Sequence, residues 1–214
     1  MTRYAAAFIS FLAVVSAQRR GASTTASDVE NGVCKENTLI FARGTTEQGN
    51  MGSVVGPVLA TAMKQALGDD KVAVQGVNYA ANVNGAISGA TNPANAAGAK
   101  DMAAQAAAAV AACPNTKVVL SGYSQGAEQV RGALMNMPNN NVVAAVTFGD
   151  PLMDQDFANI DAAKTKVNCV QGDGVCNGQF AISAAHLSYG SNGNVDDSVQ
   201  FIMQMVGGAA PAAN

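Results

Sequence analysis

Five short runs rich in β-branched residues, at 38–41, 72–77, 117–120, 142–148 and 165–170, alternate with longer helical patterns near 54–67, 94–112, 125–135 and 195–206. That alternation argues for a parallel sheet with helices on both faces. The runs are nearly continuous in apolar character, as expected of strands covered on both sides. Loops leaving the carboxyl ends of such strands converge on one edge, where open α/β sheets place their ligands. The residues with chemical interest follow strands: Arg43-Gly44-Thr45-Thr46 the first, Ser124 the third, Gly149-Asp150 the fourth and Asp173 the fifth. The segment 82–95, rich in Gly, Asn and Ala, reads as an irregular, mobile loop near that edge.

Gly122-Tyr123-Ser124-Gln125-Gly126 lies between the third strand run and a helical stretch, the strand-turn-helix setting of a nucleophile elbow. The pentapeptide alone is weak in a chain with 22 glycines; its context carries the weight. Glycines two positions either side of the serine have a mechanical reason, because larger side chains would collide with strand and helix. A serine hydroxyl needs a neighbouring base to act as a nucleophile, and His186 is the only histidine in the chain. A lone histidine is ordinarily structural, but the elbow reverses that reading.

Met1-Thr2-Arg3, an apolar run over 4–15 and Val15-Ser16-Ala17 have the pattern of a secretory signal, assigned to residues 1–17. Residues 18–30 read as a flexible or processed leader, with Arg19-Arg20 a candidate processing site. Residues 31–214 form one domain, large enough for a sizeable core. No segment of the mature chain has the uninterrupted apolar length of a membrane span, so a soluble, extracellular monomer is expected. Without Arg3, the 12 basic residues become 11 against 15 acidic ones, with no basic cluster to hold a phosphate backbone. Nucleic acid is not an expected partner.

Cys34, Cys113, Cys169 and Cys176 in a secreted chain are expected as two disulfides, although sequence alone permits three pairings. We favour Cys34 with Cys113 and Cys169 with Cys176. The second closes a short loop around Gly172-Asp173-Gly174; by loop entropy it contributes about 2.5 kcal/mol, against about 4.5 kcal/mol for the long one. Its greater effect would be to hold Asp173 in place. Zinc is the competing reading of four cysteines, but no C-x2-C spacing is present; no metal is expected.

The order Ser124, Asp173, His186 is that of α/β-hydrolases and differs from those of the two common serine-protease folds. Asp150, Asp154 and Asp156 also follow a strand. Asp173 is preferred, being flanked by glycines in a small closed loop 13 residues before His186. Gly149-Asp150-Pro151 reads instead as turn chemistry. The backbone N–H of Gln125, which follows the nucleophile, is the expected first oxyanion donor. Thr45, offering an N–H and a hydroxyl after the first strand, is the expected second; the bland alternative is a surface ion pair of Arg43 and Glu47 around a turn.

Together, Leu39-Ile-Phe-Ala-Arg-Gly-Thr-Thr-Glu47, the Gly122–Gly126 elbow, and Cys169-Val-Gln-Gly-Asp-Gly-Val-Cys176 followed by Ala184-Ala-His-Leu-Ser-Tyr189 resemble the fungal cutinases, from about Cys34 to Val206. The resemblance implies a three-layer α/β-hydrolase fold with a central, mainly parallel five-stranded sheet and no lid. It implies a secreted serine esterase that hydrolyses the ester bonds of cutin without a cofactor. Ser124, Asp173 and His186 would be its triad, Thr45 and Gln125 its oxyanion hole, and the disulfides would pair as favoured above. Cutinases often carry serine where this chain has Thr45, and proline where it has Ala185 before the histidine. Apolar residues ahead of that histidine line the family's acyl cleft, here Phe180 and Ile182, whose alternative is core packing. The implied mechanism is acyl transfer through Ser124 to an insoluble polyester or lipid-like ester, with an alkaline working range because His186 must be neutral to act as base. Two alternatives remain: an acetylxylan esterase, which shares the triad, and a non-catalytic secreted recognition or elicitor protein.

Overall fold

The computed structural model describes residues 23–138 and 141–207; the expected signal segment and Arg19-Arg20 lie outside them. Its five strands are β1 (Asn37–Ala42), β2 (Val72–Gly76), β3 (Lys117–Tyr123), β4 (Val142–Phe148) and β5 (Thr165–Asn168). They form one sheet in the order β2-β1-β3-β4-β5, and every neighbouring pair is parallel. Its helices are α1 (Gly56–Leu67), α2 (Val83–Thr91), α3 (Ala97–Ala112), α4 (Gln125–Met135) and α5 (Asn194–Gly207).

Successive side chains of a strand point to opposite faces, and here both faces are apolar. Leu39, Phe41, Val119, Val146 and Phe148 pack with Leu59 and Met63 of α1 and Ile202 of α5. Ile40, Leu120 and Ala145 pack on the other face with Met102 of α3 and Val130 and Leu134 of α4. This two-sided burial explains why the strand runs lack an apolar-polar alternation.

The boundaries differ from expectation in instructive places. β3 runs three residues further than its apolar run, because Ser121, Gly122 and Tyr123 keep pairing with Phe41, Ala42 and Phe148 on either side. The first glycine of the elbow is thus a strand residue. α1 starts only at Gly56, with Pro57 in its first turn, where a missing N–H costs nothing. The segment 82–95 is not an irregular loop. Asn82 caps α2 by accepting from the Gly85 N–H at 2.7 Å, and a short 3-10 turn, Pro93–Asn95, leads into α3. Glycine and asparagine there serve the cap and close packing rather than disorder.

The part of the expected leader that is described, residues 23–30, is docked rather than free. Ser27 pairs antiparallel with Gln75, Asp28 N–H donates to Val74 O at 3.0 Å, and Asp28 Oδ2 accepts from Val74 N–H at 2.8 Å. β2 is an edge strand, and this segment satisfies backbone groups that an edge would leave open. Cys34 is bonded to Cys113 at the end of α3, and Cys169 to Cys176 just beyond β5.

Candidate active site

Ser124 sits at the junction of β3 and α4 with φ 57° and ψ −122°, a backbone conformation that side-chain-bearing residues rarely adopt. Its N–H donates to Phe148 O at 2.9 Å, which pins the turn to the end of β4. A Cβ on Gly122 would lie 2.1 Å from Gly126 O, and one on Gly126 1.9 Å from Ala42 O. Only glycine fits at both positions, so the pentapeptide spacing is a packing requirement of the turn.

Three loops bring their polar side chains to this point. His186 Nε2 lies 3.0 Å from Ser124 Oγ, and its Nδ1 lies 2.8 Å from Asp173 Oδ2. A carboxylate only accepts, so Nδ1 carries the proton and the Nε2 lone pair faces the serine hydroxyl. Asp173 is held in turn: its Oδ1 accepts from Val175 N–H at 3.0 Å and its Oδ2 from the Tyr189 hydroxyl at 2.7 Å. All of Asp173, His186 and Tyr189 are buried. Burial, and then the hydrogen bond to Asp173, push the Tyr189 phenol well above its ordinary range, so it stays a donor.

The histidine loop is fastened independently of that row. Ser183 Oγ accepts from His186 N–H at 3.2 Å and donates to Gly172 O at 3.1 Å, clasping it to the aspartate loop. Tyr123 stacks on the imidazole at 4.9 Å between centroids and donates its hydroxyl to His186 O at 2.9 Å. Gly149, at φ 56°, lets the ring lie against the end of β4; a Cβ there would sit 2.7 Å from His186 Cε1. Tyr123, Ser183 and Tyr189 have no assigned role in the sequence reading, and Gly149 has only that of a turn residue. Tyr189 did carry a signal, since a buried tyrosine three residues after the histidine needs a polar partner nearby.

Asp150, the rival acid, lies elsewhere in the hydrogen-bond network. Its Oδ1 accepts from Leu152 N–H at 2.9 Å, the expected Asx turn, while its Oδ2 accepts from Arg131 Nε at 2.8 Å in a buried ion pair. Asp154 and Asp156 are exposed.

As the first residue of α4, Gln125 has an N–H without an acceptor inside the helix. The Thr45 hydroxyl donates to Gln125 Oε1 at 2.9 Å, which brings the two candidate oxyanion donors together. Arg43 and Glu47 do not form the surface ion pair considered above. Arg43 is buried and donates through Nε to Glu47 O at 2.8 Å and through Nη2 to Tyr79 O at 2.8 Å. The Glu47 carboxylate instead accepts from the N–H groups of Gly44, Ser53 and Val54 at 2.7–2.9 Å, shaping the loop that presents Thr45.

Ser124 and His186 open onto a cleft of about 820 Å³. Its lining includes Phe180, Ile182 and Leu187, and Val83, Ala86 and Ala90 of α2. Phe180 is 65% exposed and Ile182 63%, so neither packs into the core. Glu128, one turn into α4, also lines the cleft although it is 1% exposed. Burial, and then the Asp150 charge, push its carboxyl up to about 9. Among the described residues, no cluster of His, Cys, Asp and Glu is arranged to hold a metal ion, and no helix is long and apolar enough to cross a membrane.

Comparison with known proteins gives this geometry its lineage. Residues 33–206 match the family model described as Cutinase. The chain is 46% identical over 191 residues to Cutinase 4 of Emericella nidulans, covering 88% of this chain and 79% of that protein. Among solved structures, the Trichoderma reesei cutinase in complex with a C11Y4 phosphonate inhibitor aligns with a TM-score of 0.77 and 38% identity, over 87% of this chain and 81% of that one. The catalytic core domain of acetyl xylan esterase from Trichoderma reesei is more distant, with a TM-score of 0.55 and 25% identity over 80% of this chain and 99% of that one. With a family match spanning most of its length and the parallel five-stranded α/β architecture described above, the chain belongs to the cutinase family and is a carboxylic ester hydrolase.

Proposed function

We propose that Ser124, His186 and Asp173 form the catalytic triad of a secreted esterase that cleaves the ester bonds of cutin. The observation that carries the substrate reading is the apolar cleft beside Ser124, with Phe180 and Ile182 exposed on its wall. Large apolar side chains facing solvent are costly unless a ligand covers them. A long acyl chain, or the surface of a polyester, would do so; an acetyl group would leave most of the wall bare. The names of the curated relative and the inhibitor-bound structure point the same way.

In this mechanism His186 Nε2 takes the Ser124 proton as Oγ attacks the ester carbonyl. The negative charge on the carbonyl oxygen falls to the N–H groups of Gln125 and Thr45, donors already fixed before the reaction. His186 returns the proton to the leaving alcohol, and an acyl-enzyme remains on Ser124. Water, deprotonated by His186, then attacks that ester; the acid departs and Ser124 regains its proton. Asp173 fixes the imidazole tautomer and stabilises the imidazolium, and the hydrogen bonds from Tyr189 and Val175 hold Asp173 in turn. The Thr45 hydroxyl is read as orienting the Gln125 side chain, the bond it makes at rest.

Secretion is part of the same reading, with residues 1–17 as signal, a processing site before the docked segment and a single hydrolase domain thereafter. Two disulfides fit an oxidising compartment.

The test is hydrolysis of p-nitrophenyl esters from acetate to palmitate and of cutin itself, with Ser124→Ala as control. Preference for butyrate and longer chains, release of acids from cutin, and loss of both in the variant are expected. Activity confined to acetate would favour acetylxylan esterase chemistry, and none at all a non-catalytic role.

A further inference from the structure

Glu128 is out of place in its surroundings. It lies on α4 and is 1% exposed, yet among the described residues its Oε2 has no hydrogen-bond partner. Buried polar atoms are nearly always paired, and an unpaired one in a native protein calls for an explanation. The backbone across from it is shaped around the carboxyl group: a Cβ on Gly89 of α2 would lie 2.2 Å from Glu128 Oε2. Beside it, Ala86, Ala90 and Gln125 line the same cleft. Glu128 follows the proposed nucleophile by four residues and lines the same cleft as Ser124.

We propose that Glu128 is a specificity-determining residue of the cleft, whose carboxyl group binds a hydroxyl carried on the substrate chain and so favours esters of hydroxylated chains over unsubstituted ones. The inference rests on the triad and cleft reading given above. Its chemistry follows from the state of the carboxyl group, which burial keeps protonated until about pH 9. A neutral carboxyl offers one donor and one acceptor. A hydroxyl complements both at once; a bare methylene chain complements neither, and a cationic group would find no charge to pair with. A largely apolar cleft that holds an unsatisfied polar group discriminates by what it leaves unpaired.

The experiment compares kcat/KM for p-nitrophenyl hexanoate with that for its 3-hydroxy and 6-hydroxy counterparts. The ratio within each protein is the readout, so a general loss of activity cancels. The wild-type enzyme is expected to favour at least one hydroxy ester on the order of tenfold. Glu128→Leu should bring that ratio to about one, and Glu128→Gln, which keeps a donor and an acceptor, should retain most of it. Gly89→Ala gives a second route, since its methyl group displaces the carboxyl without changing its chemistry; it should also lower the ratio. No preference in the wild type, or a preference undiminished in both Glu128→Leu and Gly89→Ala, would overturn the proposal. Failure of the wild type to hydrolyse hexanoate would overturn the site reading itself, and the proposal with it.

Discussion

The row Asp173–His186–Ser124 and the cleft beside it are built on opposite plans. In the row the acid is held by two further donors, the ring is stacked and its loop is clasped. In the cleft, Phe180 and Ile182 face solvent and Glu128 Oε2 has no partner among the described residues. A row that is to pass a proton works only in one geometry, and the supports here are redundant. A binding wall must leave contacts unmade for its ligand to make. Unsatisfied surface next to a fully satisfied row therefore marks where chemistry ends and recognition begins.

The sharpest way to break this contrast is Asp173→Asn. An amide preserves the shape of the row but cannot hold the imidazole in the same tautomer, so kcat should fall about 10⁴-fold while the far-UV spectrum is retained. A loss below tenfold would show that the row does not carry the proton. A smaller effect is expected on the apolar wall. Phe180→Ala combined with Ile182→Ala should lower the ratio of kcat/KM for octanoate over acetate about tenfold, because the longer chain loses its contacts. An unchanged ratio would mean that the wall is surface without a ligand.

A third test concerns stability at the unsatisfied wall. Folded Glu128 keeps its proton to about pH 9, whereas its ordinary value is 4.5. The stability linked to that proton is complete below the ordinary value and is lost as pH rises toward the folded one. Glu128→Gln has no such proton to lose. The Tm of the variant minus that of the wild type should therefore climb between pH 4.5 and about 9 and then level off; a difference flat across that range would mean that the carboxyl is not held neutral.

Much of the candidate site is legible in the sequence because its signals are local. Ser124, Gln125 and the two flanking glycines form one continuous turn, and their spacing follows from steric contacts within it. Asp173 could be chosen over Asp150 from its glycine-flanked loop and its position ahead of His186, and the structure gives the two residues different partners. The segment 82–95 reads as a loop in the sequence because Asn and Gly suit loops and helix caps equally, and only its packing on α4 decides between them. Residues 18–30 read as a flexible or processed leader because they are polar, and the docking of residues 23–30 to β2, made largely through backbone groups, leaves no mark on side-chain composition.

By itself, the sequence determined the parallel α/β class, the elbow and the identity of the residues able to form the reactive row. Those depend on apolar periodicity, on glycine sterics and on there being only one histidine, all of which are properties of the chain. Tertiary structure alone decided that Tyr189 and Tyr123 support the row, that Gly149 makes room for the ring, and that Phe180 and Ile182 face outward. It also decided that Glu128 is buried without a partner for Oε2. These are relations between segments far apart in the chain, and whether a polar group is satisfied or an apolar one covered is fixed only when the segments meet.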